Sequence, residues 1–130
     1  MLANFDIVAS LPAADYERAK RFYEEKLGLT PISEDAGGAH YRSGSTYFDV
    51  YPTQFSGTAQ HTLAAWLVDD LESTMEELRS RGIVFEEYDM PGLKTVNGVA
   101  EIEGERGAWF KDSEGNILAI AQVATDFRNQ

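Results

Sequence analysis

The chain has 130 residues, enough to bury a hydrophobic core as a single domain without covalent or metal staples. It contains no cysteine, which excludes a disulfide scaffold, a zinc–thiolate centre, an iron–sulfur cluster and a cysteine nucleophile. Its 22 acidic and 11 basic side chains give a formal net charge of −11, so a nucleic acid or an anionic membrane is an unfavourable partner; the field suits a neutral or cationic small molecule, or the acids, mostly on predicted outer helix faces, simply keep the surface soluble.

The opening residues carry neither a basic leader nor a long apolar run, and no stretch reaches transmembrane length, so a cytoplasmic location is expected. Residues 5–11 then alternate, with Phe5, Ile7, Ala9 and Leu11 on one face, and predict a strand ended by Pro12. Asp15 can cap a helix whose apolar stripe is Ala19, Phe22, Tyr23 and Leu27, with Glu17 and Arg21 paired outside and Gly28 as its stop. Strands are predicted near 31–35, 39–43 and 46–52, the last with Tyr47, Asp49 and Tyr51 on one face and Phe48 and Val50 on the other. Residues 53–60 read as a polar connector.

The pattern then restarts. Residues 61–68 form a mostly apolar strand, and Asp69 or Asp70 caps a second helix with Leu71, Met75 and Leu78 inward. The spacing from Asp15 to Gly28 equals that from Asp69 to Gly82. Strands are expected at 83–88, 107–111 and 117–123, with an irregular stretch at 89–106. Asp112–Asn116 should close a hairpin, Gly115 supplying a positive φ. The reading is an α+β single domain over 1–130. It contains two βαβββ modules, 1–52 and 61–130, forming a curved mixed sheet cup with helices outside and a concave inner face suited to a ligand.

Two segments, Asp15-Tyr-Glu-Arg-Ala-Lys-Arg-Phe-Tyr-Glu-Glu-Lys-Leu-Gly28 and Ala108-Trp-Phe-Lys-Asp-Ser-Glu-Gly-Asn-Ile-Leu118, joined by Val68-Asp-Asp-Leu71, resemble the vicinal oxygen chelate superfamily of glyoxalases, extradiol dioxygenases and bleomycin-resistance proteins. The resemblance implies a paired βαβββ fold, a homodimer, and in the enzymes a divalent metal held by four inward-facing strand residues. Carried over by motif, those four positions fall on Ile7, Asp49, Leu63 and Ala119, three of which have no donor atom. A carboxylate among apolar neighbours would coordinate a cation poorly, so neither a metal nor another cofactor is expected.

The candidate ligand-binding residues are Ile7, Tyr47, Asp49, Tyr51, His61, Leu63, Trp109 and Ala119. Asp49 between two tyrosines could hold a cation or accept a proton, or be a solvated sheet position. His61 reads as a proton shuttle or a surface histidine at a strand start. His40, beside the Gly37-Gly38 turn, is expected to be exposed, with Tyr41 near the cleft. Trp66 should pack under the second helix, while Trp109 either stacks on a flat ligand or fills the core. Lys94 lies in the 89–106 stretch, a candidate lid where it could meet an anionic group. The functional expectation is a metal-independent binder of a cationic or aromatic small molecule, of the sequestration or resistance type. The alternative is a lyase, isomerase or dioxygenase with an atypical metal site drawing on Asp49, His61 and Glu101.

Overall fold

Strand β1 (Ala9–Ala13) begins at Ala9 rather than Phe5, and Pro12 lies within it rather than ending it. The structure, a computed structural model, describes residues 1–129 and shows why the proline is tolerated. β1 is an edge strand, and the Pro12 carbonyl accepts from the Asn116 side-chain amide at 2.8 Å. The nitrogen and carbonyl of one strand residue share a side, so the position without an N–H faces away from the neighbouring strand. Phe5, Ile7 and Val8, read as strand from their alternation, lie outside it and are exposed.

Helix α1 (Tyr16–Arg21) starts where Asp15 accepts the Arg18 N–H at 3.1 Å, the cap the sequence predicts. It runs into a π-helical turn, Phe22–Lys26, in which the Leu27 N–H reaches the Phe22 carbonyl. On its outer face Glu17 meets Lys20 at 3.9 Å, one residue before the predicted Arg21. Strands β2 (Pro31–Asp35), β3 (Gly38–Ser43) and β4 (Thr46–Pro52) follow at the predicted places. The sheet order is β1-β4-β3-β2, parallel between β1 and β4 and antiparallel elsewhere.

One face of this sheet is closed by α1 and its π-helical turn. Leu11, Ala13, Ala39, Tyr41, Phe48 and Val50 are buried there with Ala19, Phe22 and Tyr23. Tyr23 sits 5.9 Å from Phe48 and 6.1 Å from Tyr41, and Tyr41 stacks on Phe48 at 5.4 Å. Such aromatic pairs add roughly 0.5–1.5 kcal/mol each beyond their burial. Tyr41 is therefore core, not cleft. Its hydroxyl donates to Glu24 at 2.9 Å, and burial followed by that carboxylate pushes its pKa up.

The second half repeats the scheme. β5 (Thr62–Leu67) leads to α2 (Leu71–Ser80), capped by Asp70, whose carboxylate accepts the Ser73 N–H at 3.0 Å. The stretch expected to be irregular holds a two-stranded ribbon, β6 (Asp89–Met90) with β7 (Leu93–Lys94), and then β8 (Ala100–Ile102). β9 (Glu105–Lys111) and β10 (Ile117–Gln122) complete a sheet of order β5-β10-β9-β8. The strand expected at 83–88 is reduced to one bridge, Phe85 to Phe110, because β8 takes the outer place beside β9. α2 packs on β10, and Leu71, Met75, Ile83, Phe85, Ala108, Phe110, Leu118 and Ile120 are buried. Trp66 belongs to this apolar face, as expected, stacked 6.5 Å from Phe110.

The chain divides into two compact units, Met1–Thr58 with Ser113–Asn116, and Ala59–Asp112 with the residues from Ile117 onward. Among the described residues no helix is long and apolar enough to cross a membrane.

Candidate functional site

The face of the first sheet turned away from α1 is polar and aromatic. Phe48 and Val50 point into the core, so alternation puts Tyr47, Asp49 and Tyr51 on the other side, as the sequence predicts. The register sets Ser10 and His40 on either side of Asp49, Pro12 beside Tyr51, and Arg42 beside Tyr47. Tyr47 is 49% exposed and Tyr51 36%, enough for either ring to receive a ligand.

His40 departs from expectation. It is three-quarters covered and bridges two carboxylates rather than standing in solvent. Its Nδ1 makes a short contact with Asp49 Oδ1, and its Nε2 lies 2.9 Å from Asp35 Oδ2. Each contact needs an N–H, so the arrangement selects the doubly protonated imidazolium. Asp49, then Asp35, hold the His40 pKa above its ordinary value. Asp35 also accepts the Gly37 N–H at 2.8 Å, and His40 followed by that bond lowers its pKa. Asp49 is thus held in a fixed orientation.

This bridge needs β3 to run close to β4, and Gly38 allows it. At φ +121°, a Cβ on Gly38 would stand 2.2 Å from the Val50 carbonyl oxygen. A Gly-Gly pair before a histidine was the available signal, but it reads equally as an exposed turn.

In the second unit, the sheet face opposite α2 carries Trp109, Ala119 and Ala65 side by side. The register slips between Ile117 and Leu118, and half-buried Leu63 lies at that irregularity. The Trp109 Nε1–H donates to Thr62 Oγ1 at 3.0 Å, and Tyr88 meets the indole edge-on at 5.8 Å. Trp109 is half-buried and Ala119 is buried. His61 is exposed just before β5, its Nδ1 3.1 Å from the Thr62 carbonyl. Ile7 is 95% exposed.

A divalent cation does not fit the four positions carried over from the resemblance. Ile7, Leu63 and Ala119 offer no donor, and Asp49, with Oδ1 taken by His40, would leave a divalent ion a single carboxylate oxygen. Among the described residues no group of three or more His, Asp and Glu is arranged to hold a metal ion.

Sequence reasoning also missed Glu114. Its side chain is fully covered, and its carboxylate accepts from the Asp15 N–H at 2.7 Å, Arg18 Nε at 2.8 Å, Arg18 Nη2 at 3.2 Å and Ser113 Oγ at 2.8 Å. Burial alone would raise its pKa; Arg18 and the Asp15 N–H outweigh that and lower it. Glu114 ties the 113–116 segment to the start of α1, a structural role.

The family model described as Glyoxalase/Bleomycin resistance protein/Dioxygenase superfamily matches residues 5–120. No curated protein matches the chain significantly. Among solved structures, the glyoxalase family protein from Enterococcus faecalis is 21% identical with a TM-score of 0.71, covering 94% of this chain and 100% of that one. TnmS3, an antibiotic binding protein from Streptomyces sp. CB03234, is 23% identical with a TM-score of 0.66, covering 92% and 98%. Lactoylglutathione lyase from Agrobacterium tumefaciens is 16% identical with a TM-score of 0.67, covering 90% and 92%. With a match across nearly its whole length, this chain belongs to the glyoxalase/bleomycin resistance protein/dioxygenase superfamily.

Proposed function

We propose that the chain binds a cationic or aromatic small molecule without a metal ion, sequestering it rather than turning it over. The observation that carries this reading is the Tyr47–Asp49–Tyr51 face with Asp49 held by His40. Residues two apart on a strand lie about 6.6–6.8 Å apart, so the tyrosine rings flank the carboxylate closely enough for one ligand to meet all three. A cation over a tyrosine face gains about 0.5–2 kcal/mol, and the carboxylate adds a charge-assisted contact without losing rotamer freedom on binding. In the second unit, Trp109 is proposed as a stacking surface for an aromatic ligand, with Leu63 and Ala119 as its apolar surround. The likeness in fold to TnmS3, an antibiotic binding protein, supports a binding role. The assembly we propose is a homodimer, consistent with the exposed apolar run Phe5, Ile7 and Val8 and checked by light scattering.

The test is a thermal-shift and equilibrium-dialysis screen of cationic aromatic antibiotics, with mass spectrometry of the recovered compound. The expected result is saturable stabilisation, an unchanged compound, and affinity about tenfold weaker in Asp49→Asn, equivalent to about 1.4 kcal/mol. Stoichiometric divalent metal in the purified protein, or chemical conversion of the bound compound, would replace this reading with that of a lyase, isomerase or dioxygenase.

A further inference from the structure

The second unit holds a half-open groove of about 610 Å³ on the helix side of its sheet, which the reading above does not use. We propose that it binds a zwitterionic small molecule with an apolar body, of the size of a short peptide.

The cavity is built by three elements of one unit. Glu72, Met75, Glu76 and Arg79 follow the i, i+3, i+4, i+7 spacing and form one stripe of α2. The segment after β7 forms the facing wall. The ends of β8 and β9 contribute Glu101 and Arg106.

The facing wall is fixed by its own bonds. Thr95 is buried, donates its N–H to the Tyr88 carbonyl at 2.9 Å, and accepts the Tyr88 N–H on Oγ1 at 2.8 Å. Val96 and Val99 exchange backbone bonds of 2.8 and 3.1 Å around Asn97 and Gly98, both at positive φ. A Cβ on Gly98 would come within 3.2 Å of Met75 Cε and 3.1 Å of Phe85 Cβ, so the turn lies directly on the core beside α2. Arg79 then ties the turn down, donating from Nη2 to the Asn97 carbonyl at 3.2 Å while its guanidinium stands 5.2 Å from the Phe85 ring centroid. With the backbone of its turn fixed, the groove leaves only its exposed side chains to be ordered on binding.

Charge selects the ligand class. Glu72 and Arg106 neutralise one another through a two-pronged ion pair. Lys94 and Glu76 remain outside any ion pair among the described residues, while Glu101 lies opposite Arg106 on β9 and adds to the field there. The lining therefore offers charge of both signs, Lys94 and Glu76 foremost, around Val96 and Val99, with Met75 buried beneath them. A simple anion would face Glu76, Glu101 and the field of a chain of net charge −11; a simple cation would face Lys94 and Arg79. A molecule carrying an ammonium and a carboxylate on an apolar body meets complementary groups at both ends.

The test is isothermal titration calorimetry of the intact chain with leucyl-leucine, N-acetyl-leucyl-leucine and leucyl-leucinamide. The expected result is saturable binding of leucyl-leucine, with each singly charged analogue weaker by about tenfold or more. Lys94→Met and Glu76→Gln should each weaken leucyl-leucine about tenfold while leaving thermal unfolding unchanged, and Asp49→Asn should leave its affinity unchanged. Absence of binding at about 10 mM, equal binding of all three probes, or loss of binding in Asp49→Asn alone overturns the proposal; on the affinity scale 10 mM lies beyond specific recognition. Failure here leaves the first unit's aromatic face untouched, since that face is read with different ligands and a different variant.

Discussion

Replacing Glu114 by glutamine perturbs one buried carboxylate and the four hydrogen bonds described above. The change preserves shape but turns one acceptor oxygen into an NH2 group. Whichever way the amide turns, it faces either Arg18 Nε and Ser113 Oγ, or the Asp15 N–H and Arg18 Nη2, and those are donors to Glu114. Hydrogen bonds to a charged group contribute roughly 1.5–3 kcal/mol each when well shielded. The Arg18 side chain is 50% exposed, so solvent screening reduces its share to about 1 kcal/mol or less. The bond to the Asp15 N–H, part-buried at the start of α1, contributes about 1–2 kcal/mol more. The expected loss is therefore about 2–3 kcal/mol, or roughly 6–15 °C in Tm for a domain of this size. Denaturant unfolding followed by circular dichroism gives the value directly. A loss below about 0.5 kcal/mol, the range of ordinary surface substitutions, would refute the claim that Glu114 anchors α1.

Three further outcomes follow from the same packing. His40 has a folded-state pKa raised by Asp49 and Asp35, so its stabilisation is fully present below the ordinary histidine value near about 6.5 and is lost as pH rises through the higher folded value. The Tm advantage of the native chain over His40→Gln should accordingly shrink as pH rises above about 6.5, and an advantage that grows with rising pH would contradict the bridge. Gly38→Ala forces a Cβ to 2.2 Å from the Val50 carbonyl oxygen at φ +121°, so it should cost upwards of about 2 kcal/mol, with Gly44→Ala, which has open space around it, much milder in the same unfolding assay. Phe110→Ala removes a ring, 1% exposed, that touches both Trp66 and Phe85, and should cost about 3–5 kcal/mol in a denaturant titration.

The duplicated strand–helix–strands order was legible because apolar periodicity and capping residues are local. Asp15 and Asp70 cap their helices, and β2, β3 and β4 fall at the places the alternation marks. Tyr47, Asp49 and Tyr51 share a face because alternation along a strand depends on nothing beyond that strand. What was not legible depends on partners distant in sequence. The Phe5–Ile7 alternation looks like strand, but β1 forms from Ala9 onward, where β4 pairs with it. Residues 83–88 have strand composition, yet Ala100–Ile102 takes the place beside β9. His40 looked exposed because nothing in its own neighbourhood announces Asp49 on the next strand. Glu114 looked like turn filler because its partners, Asp15 and Arg18, lie far away in the chain.

Pro12 and Asn116 together settle what the outer margin of the first sheet can do. With no N–H at the fourth of the five residues of β1 and the carbonyl of the same residue already plugged by an asparagine amide, an incoming chain finds neither a donor nor an open acceptor at that point. The sheet is thereby stopped from templating another strand along β1, and runaway cross-β stacking through that margin is blocked. Substituting Pro12 by valine would restore the missing donor, turning a closed border into a sticky one.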